Sequence, residues 1–319
     1  MYMEHEADKS NGCSVSLCIC TMNRLDDLNR CLDSVYQSVE KPDEVIVSDD
    51  SPDGQPTQAV VARYSGVIYQ HGPRRGLGPN RNACIRRAKG SHIIFIDDDV
   101  CVSPEFFSVA RQAIASVDSK TMITGYEMNY RRGEPEKVTP HNTDFWGLQR
   151  VPVQNEYHAI VINATIFPKS LFERALFDEN VRYGSEELDM AQHAVSLGYR
   201  IAYHDCLYVN HYPSPVNRDK YKQFIEASRL YVTTKAYWQY ERSLPKTLAY
   251  ILLAPLQLAG SAVRKGDVRA VWGAFQSTAL AWRYLFTSHK SQVTSQELEA
   301  RSQEGLIFIV ASVSLWASG

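Results

Sequence analysis

Residues 92–99 read His-Ile-Ile-Phe-Ile-Asp-Asp-Asp, an apolar run typical of a buried strand that ends abruptly in three adjacent carboxylates. Carboxylates this close raise each other's pKa unless a cation or hydrogen-bond donors neutralise them. Hard oxygen ligands of this kind suit Mg²⁺ or Mn²⁺, so Asp97, Asp98 and Asp99 are candidates for a metal site. They equally fit a solvated acidic turn before a helix that starts at Ser103-Pro104-Glu105.

Before this stretch the sequence alternates strand and helix patterns, with buried strands predicted at residues 15–20, 44–48 and 67–69. A basic, glycine-rich loop at residues 71–80 follows, and we expect it to open a helix near Arg81. Alternation at this spacing indicates βαβ units and a mostly parallel sheet. Ligands bind at the carboxyl ends of such strands, so Thr21, Asp50 and Asp97 are expected to share one crevice.

The sequence after residue 99 is less regular, with strand-like apolar runs at residues 121–126, 159–167 and 200–203. Residues 183–189 read Tyr-Gly-Ser-Glu-Glu-Leu-Asp and open a predicted helix. This helix is expected to end at Leu197-Gly198, since glycine is the usual residue just past a helix. His211 lies just beyond the last strand-like run.

Composition indicates an ordinary globular protein, because 44% of the 319 residues are hydrophobic and 22% are charged. The net charge of -2 gives no electrostatic argument for nucleic acid. The seven cysteines form no Cys-x-x-Cys pair and no zinc-like cluster, so we expect reduced, mostly buried thiols. The first ten residues are polar and acidic and lack a signal-peptide pattern, so catalysis is expected to face the cytoplasm.

From residue 217 onward the sequence is helical and amphipathic in pattern. One apolar stripe is formed by residues three and four apart, namely Trp272, Phe275, Ala279, Trp282 and Phe286. Arg269 and Arg283 lie off this stripe. The apolar runs at residues 250–259, broken by Pro255, and 306–316 are shorter than the ~18–20 residues that span a bilayer. The pattern favours helices lying in the membrane interface. The alternative is a helical appendage packed on the catalytic domain or on a second subunit.

Taken in order, these motifs resemble glycosyltransferase family 2, whose members are inverting enzymes of the GT-A fold. The matching segments are residues 15–24, 45–51, 76–82, 96–99, the last being the family's Asp-x-Asp motif, and 184–189. The resemblance spans residues 14–212, and the order of several motifs makes it more specific than any one of them. The sequence departs from the family at Cys20, which replaces a proline, at Met22, which replaces a tyrosine, and at Glu187, which replaces the catalytic aspartate.

The resemblance implies an α/β fold, with a GT-A, Rossmann-like, mostly parallel sheet flanked by helices and a helical C-terminal appendage. The implied organisation is a polar tail at residues 1–13, a GT-A domain at 14–216 and an amphipathic, membrane-associated helical region at 217–319. The GT-A domain would divide into a nucleotide-binding half at 14–103 and an acceptor-binding half at 104–216.

The resemblance also assigns roles to individual residues. The implied metal ligands are Asp99, Asp97 directly or through water, and His211. The implied nucleotide-sugar contacts are Cys20, Thr21, Asn23, Arg24, Asp50, Arg81, Asp97 and Asp98. Asp50 would accept a hydrogen bond from uracil or thymine, Arg81 (or Arg74 or Arg75) would stabilise phosphate charge, and Glu187 would be the base. Simpler roles remain open: a turn or cap for Asp50, a solvated helix position for Arg81, and a structural role for His211 and for Asp189.

The implied activity is metal-dependent, inverting transfer of a sugar from a UDP or dTDP sugar, in preference to a GDP sugar, to a hydroxyl. The expected cofactor is Mn²⁺ or Mg²⁺. The helical C-terminal region alone favours a lipid-linked or envelope-polysaccharide intermediate as the acceptor and a location peripheral on the inner face of the cell membrane, with a homodimer as one option. One alternative is a sugar-phosphate nucleotidyltransferase, although no glycine-rich signature follows the first strand. Another is a noncatalytic nucleotide-sugar-binding scaffold at the membrane.

Overall fold

The structure, a computed structural model, describes residues 13–132, 134–152, 156–181, 183–213, 222–264 and 268–292. Its strands are β1 (Val15–Thr21), β2 (Glu44–Asp49), β3 (Val67–His71), β4 (His92–Asp97), β5 (Val100–Val102), β6 (Thr121–Arg132), β7 (Glu134–Val138), β8 (Asn142–Thr143), β9 (Gln149–Arg150), β10 (Thr165–Pro168) and β11 (Arg200–His211). Its α-helices are α1 (Leu25–Gln37), α2 (Gln55–Val61), α3 (Leu77–Arg87), α4 (Phe106–Ala115), α5 (Glu186–Ser196), α6 (Lys222–Lys235), α7 (Leu244–Arg264) and α8 (Val268–Gln292).

One mixed sheet organises the described part of the chain, in the order β3-β2-β1-β4-β10-β6-β11-β5, with β7 paired to β6. The first four strands are parallel, and β6 and β11 are parallel to each other. β10 lies between β4 and β6 and is antiparallel to both. The predicted fold class, a mostly parallel α/β sheet of the GT-A type with C-terminal helices, is confirmed. The carboxyl ends of β1, β2 and β4 are neighbours, which brings their polar ends together.

Apolar side chains fill both faces of this sheet. Leu17 and Ile19 of β1 contribute to one core cluster with α1, α2 and α4. Cys18 and Cys20 point to the opposite face and pack in a second cluster with Cys84 of α3. The prediction of small, buried residues at positions 18 and 20 is confirmed, because alternate residues of a strand face opposite sides of the sheet.

The helix near Arg81 starts earlier than the sequence predicts. α3 begins at Leu77, so Arg81 lies in the second turn of the helix and not at its start. α1 begins at Leu25 with Arg24 as its cap residue. The residue before that cap, Asn23, has a φ of 56°, and its backbone N–H donates to Ser51 Oγ at 2.8 Å.

The C-terminal helices pack against one another and against the residues around α5. A third core cluster combines Ala159, Val181 and Leu188 with side chains of α6, α7 and α8. The apolar run at residues 250–259 belongs to the 21-residue helix α7, which continues through Pro255 and is long and apolar enough to cross a membrane. The expectation that this run is too short to span a bilayer was therefore wrong, because the run is part of a longer apolar helix. Within that helix, 28% of the most apolar 18-residue window is buried inside the protein.

The predicted stripe on α8 is only partly buried. Trp272 and Phe275 are 62% and 53% exposed, whereas Trp282 is half-buried. The side chains of Arg269 and Phe286, and the whole run at residues 306–316, lie outside the described residues. The domain boundaries at residues 13 and 216 stay predictions.

Candidate active site

The carboxylate triplet lies where β4 turns into β5, at the carboxyl edge of the parallel strands. Asp97 ends β4, and Asp98 and Asp99 form the turn, with exposed fractions of 4% and 5%. Asp98 accepts hydrogen bonds from Thr21 Oγ1 at 2.8 Å and Arg24 Nη1 at 3.0 Å. Burial raises the pKa of Asp98 to about 7, against the opposing effects of Arg24 and Thr21. Asp98 therefore ties β4 to the end of β1.

Asp99 belongs to a chain of charged groups that crosses to β11 and β6. One oxygen of Asp99 is 2.7 Å from Arg24 Nη1, and the other is 3.2 Å from His211 Nε2. His211 Nδ1 lies 3.1 Å from Glu127 Oε1. Burial opposes the imidazolium, but hydrogen bonds and charge from Asp99 and Glu127 outweigh it and raise the pKa of His211 to about 10. This histidine is held as a cation between two carboxylates.

The donor set around Asp99 fits a divalent cation. Carboxylate oxygens with one imidazole suit Mn²⁺ or Mg²⁺ better than thiophilic metals. A histidine that ligates metal through one nitrogen usually donates the other N–H to a carboxylate, and His211 faces Glu127 in this way. His211 Nε2 and an oxygen of Asp99, which are 3.2 Å apart, are the atoms that would hold the cation. The bound ion would supply the positive charge that His211 carries here.

The side chain of Arg81, on α3, interacts with Asp97 and with the first turn of α5. Its side chain is 2% exposed, and Nη2 contacts Asp97 Oδ1 at 3.1 Å. Glu186 and Glu187, in the first turn of α5, lie close enough to act electrostatically on Arg81. Arg81 Nη1 and Glu186 Oε2 are buried without a hydrogen-bond partner among the described residues. Buried polar groups without a partner, on residues close enough to interact electrostatically, are consistent with a place where a polar ligand binds.

The pKa values of the two glutamates are both raised. Burial raises the pKa of Glu186, although Arg81 opposes the shift. Burial and then the charge of Glu186 raise the pKa of Glu187, also against Arg81. A carboxylate whose pKa is raised toward neutrality is a better base than an ordinary surface glutamate.

Asp50 organises the basic loop between β3 and α3. It is 7% exposed and accepts the backbone N–H groups of Arg74 at 2.9 Å and Gly76 at 3.4 Å. Burial raises its pKa, partly offset by these hydrogen bonds. A Cβ at Gly72 would lie 2.1 Å from Asp50 Oδ1 and 2.5 Å from Asn80 Oδ1. Only glycine therefore lets the loop pass this close to the two side chains.

Comparison with known proteins agrees with this arrangement. A family model described as Glycosyl transferase family 2 matches residues 16–178, which are 163 of the 319 residues. The chain belongs to glycosyl transferase family 2. The match covers the triplet, Arg81 and Asp50, and the resemblance drawn from the motif order is confirmed.

Two curated relatives and one solved structure illustrate the likeness. EpsJ, an uncharacterized glycosyltransferase of Bacillus subtilis, is 25% identical over 172 residues, which make up 50% of this chain and 49% of EpsJ. The uncharacterized protein MT1568 of Mycobacterium tuberculosis is 32% identical over 87 residues, 27% of each chain. The chain thus spans half or less of the length of these relatives. The crystal structure of GalNAc-T7 with UDP, GalNAc and Mn²⁺ has a TM-score of 0.55 at 17% identity, over 73% of this chain and 52% of that one, and shows the fold.

The structure brings most of the residues predicted for this family 2 site together. Asp98, Asp99, His211 and Arg24 form one group linked by hydrogen bonds. Asp97 contacts Arg81 and connects to this group through Asn163 and Glu127. Arg81 is buried, so the alternative of a solvated helix position was wrong. Cys20 is 6% exposed and packs in the second core cluster.

Two residues of the site were not predicted. Glu127 of β6 holds His211, and Asn163 links Glu127 to β4, because its Oδ1 accepts the backbone N–H of Asp97 at 2.9 Å. Its amide nitrogen lies 3.4 Å from Glu127 Oε2. A charged residue directly after the predicted strand at residues 121–126 was the available signal for Glu127.

Asp189 is structural, as expected, but its partners are on other elements. Lys235 Nζ of α6 lies 2.9 Å from Asp189 and 2.7 Å from Asp178, and all three side chains are at least 96% buried. Tyr240 Oη donates to the second oxygen of Asp189 at 2.8 Å. This ion cluster ties the helix that carries Glu187 to the C-terminal helices.

Proposed function

We propose that the protein is a metal-dependent, inverting glycosyltransferase that moves a sugar from a UDP or dTDP sugar to a hydroxyl acceptor. Membership of glycosyl transferase family 2 supports the reaction class. The observation that carries the proposal is the meeting of Arg81, Asp97 and the Glu186-Glu187 pair beside Asp99 and His211. Together these residues provide a cation site, a buried positive charge and a base.

Sugar transfer needs neutralisation of the leaving diphosphate, recognition of the nucleotide base and removal of the acceptor proton, and we assign residues to each. A divalent cation on Asp99 and His211 would neutralise the diphosphate as it leaves. Arg81 would place its unpartnered Nη1 against charge that develops on the leaving group. Asp50, fixed by the basic loop, would accept the ring N–H of a uracil or thymine base. Glu187 would remove the acceptor proton as the hydroxyl attacks the anomeric carbon from the opposite side.

The first test is metal-dependent turnover. Purified protein with Mn²⁺ is offered a panel of UDP, dTDP and GDP sugars, and release of the nucleoside diphosphate is measured. We expect release from a UDP or dTDP sugar that stops when the metal is chelated. We also expect Asp99→Asn to weaken Mn²⁺ affinity about tenfold or more, because a direct ligand is lost. The matched control is Asp53→Asn, in the turn before α2.

Two results would contradict this proposal. One is no release from any sugar nucleotide in the panel. The other is equal Mn²⁺ affinity of Asp99→Asn and Asp53→Asn, since only the first variant removes a proposed ligand. Release of pyrophosphate from a nucleoside triphosphate would instead support the nucleotidyltransferase alternative.

A second test concerns the loop that holds Asp50. The change Gly72→Ala places a methyl group where Asp50 and Asn80 already lie, so the loop must shift. We expect UDP affinity, measured by titration calorimetry, to fall about tenfold, because overpacking of this kind costs about 1–3 kcal/mol.

The control for this loop variant is Gly260→Ala in α7, where an added Cβ would meet nothing within 4 Å. Alanine is favoured over glycine inside a helix by up to about 1 kcal/mol, so this variant should be as stable as the wild type or more so. Its UDP affinity should not change. Wild-type UDP affinity in Gly72→Ala would show that Asp50 and the loop do not form the nucleotide pocket.

A further inference from the structure

Helices α7 and α8 expose large apolar side chains close to their connection. Leu256 and Val263 of α7 are 67% and 63% exposed, and Trp272 and Phe275 of α8 are 62% and 53% exposed. The two aromatic rings stack, with centroids 5.8 Å apart. We call these four residues the hairpin patch. Large exposed apolar side chains that contact one another, as Trp272 and Phe275 do, usually mark a binding face.

The exposed residues of α7 form a stripe. At about 100° per residue, Leu252, Leu256 and Val263 fall within about 40° of one another around the helix. The opposite side is occupied, because Tyr250, Ile251 and Ala254 are buried against α6 and α8. The helix therefore has apolar residues on two opposite sides, one facing protein and the other facing outward.

The sequence of the segment that contains α7 and α8 is rich in positive charge. Residues 242–292 contain seven lysines and arginines against one acidic residue, in a chain whose net charge is -2. Arg264, next to Val263, is exposed, and so is Arg283 on α8. Exposed tryptophan, phenylalanine and leucine beside arginine and lysine are the pattern of helices that lie in a membrane interface.

We propose that the hairpin patch docks on an anionic lipid surface, with α7 and α8 lying along it. A second copy of this chain would bring two like-charged segments together, whereas anionic lipid headgroups complement the charge. Spanning the bilayer would pull Tyr250, which is 1% exposed, out of its packing. The cytoplasmic leaflet carries the anionic lipids, and seven free cysteines suit a reducing compartment.

Docking on lipid is independent of the proposed function, and only the inference about the acceptor rests on that function. An enzyme held on a bilayer by the hairpin patch would meet acceptors at the same surface, so we assign the acceptor to the class of lipid-linked saccharides. Docking itself requires no donor, metal or turnover, and is measured without them.

Cosedimentation with vesicles tests the docking. The full chain is mixed with vesicles of phosphatidylcholine alone or with about one-third phosphatidylglycerol, at low and high salt. We expect binding to the anionic vesicles, weakened as salt rises toward about 0.5 M, because screening shortens the reach of the charges. The double variant Trp272→Ser/Phe275→Ser should bind about tenfold more weakly, since it loses the inserted aromatic groups.

The matched control is Val39→Ser, which changes a 71% exposed side chain on the catalytic domain, just after α1. This variant should bind vesicles as the wild type does. A second variant, Arg264→Gln/Arg283→Gln, should weaken the salt-dependent part of binding while keeping both aromatic rings. A circular dichroism spectrum like that of the wild type would show that a variant with weaker binding is still folded.

Several outcomes would overturn the docking proposal. They are equal binding of wild type and the aromatic double variant, equal binding to neutral and anionic vesicles, and resistance to alkaline extraction, which would make α7 a spanning helix. A dimer that the double variant dissociates, without lipid binding, would assign the patch to a second copy. Vesicle binding without turnover on any sugar nucleotide would remove the proposed function and leave the docking intact.

Discussion

Replacing Glu187 by Gln is expected to lower turnover by about 10²–10⁴-fold while donor affinity stays nearly unchanged. The amide keeps the size and burial of the side chain but cannot accept the acceptor proton. UDP binding by calorimetry and sugar transfer under saturating donor, measured on the same preparation, separate these two effects. Unchanged turnover would show that Glu187 is not the base.

The pH dependence of kcat/KM in the wild type is an independent test of Glu187 as the base. Burial and the neighbouring Glu186 raise the pKa of Glu187 to about 7. Below that pH the carboxyl group is protonated and cannot act as a base. We therefore expect kcat/KM to rise with pH and to level off above about 7, whereas an unshifted glutamate would give its limb near pH 4.3.

The neighbouring glutamate provides the matched control. The change Glu186→Gln removes a negative charge that raises the pKa of Glu187. The acid limb of kcat/KM should therefore move to lower pH, and the variant should retain the turnover that Glu187→Gln loses. If Glu186→Gln abolishes turnover and Glu187→Gln does not, the roles of the two glutamates are exchanged.

Much of the site was predictable because its residues stand at the ends of strands. Asp97 to Asp99 follow a buried apolar run, and Asp50 follows another, so the parallel pairing of β1 with β2 and β4 brings them to one edge. The parallel direction of these strands was predicted by their alternation with helices. Local patterns were therefore sufficient for the nucleotide-binding half of the sheet.

The rest depends on pairings between distant strands, which local patterns do not encode. Glu127 lies inside the 12-residue strand β6, and it reaches His211 only because β11 pairs with β6 in a register that sets His211 opposite Asn129. Diagonal neighbours two residues apart on one face of a sheet are within contact distance. That register includes a bulge between Tyr203 and Tyr208, which periodicity does not reveal.

Replacing Lys235 by Met is expected to lower the free energy of unfolding by about 3–5 kcal/mol, measured by urea denaturation. Lys235 Nζ lies between Asp178 and Asp189, which are 57 and 46 residues away in sequence. Methionine fills the space but leaves two buried carboxylates without their cation, and the cost of an uncompensated buried charge is large. Lys235 of α6 thus stabilises the packing of α6 on α5 through its ion pair with Asp189.

The control is Lys246→Met, whose ion pair with Glu241 is exposed, with 54% and 42% of the two side chains accessible. Exposed pairs contribute less than about 1 kcal/mol, so this variant should unfold close to the wild type. Adding Asp178→Asn and Asp189→Asn to Lys235→Met should recover part of the loss, because the unpaired charges are then removed. A loss below about 1 kcal/mol in Lys235→Met itself would mean that water already solvates the cluster, and α6 would then not stabilise the helix that carries Glu187.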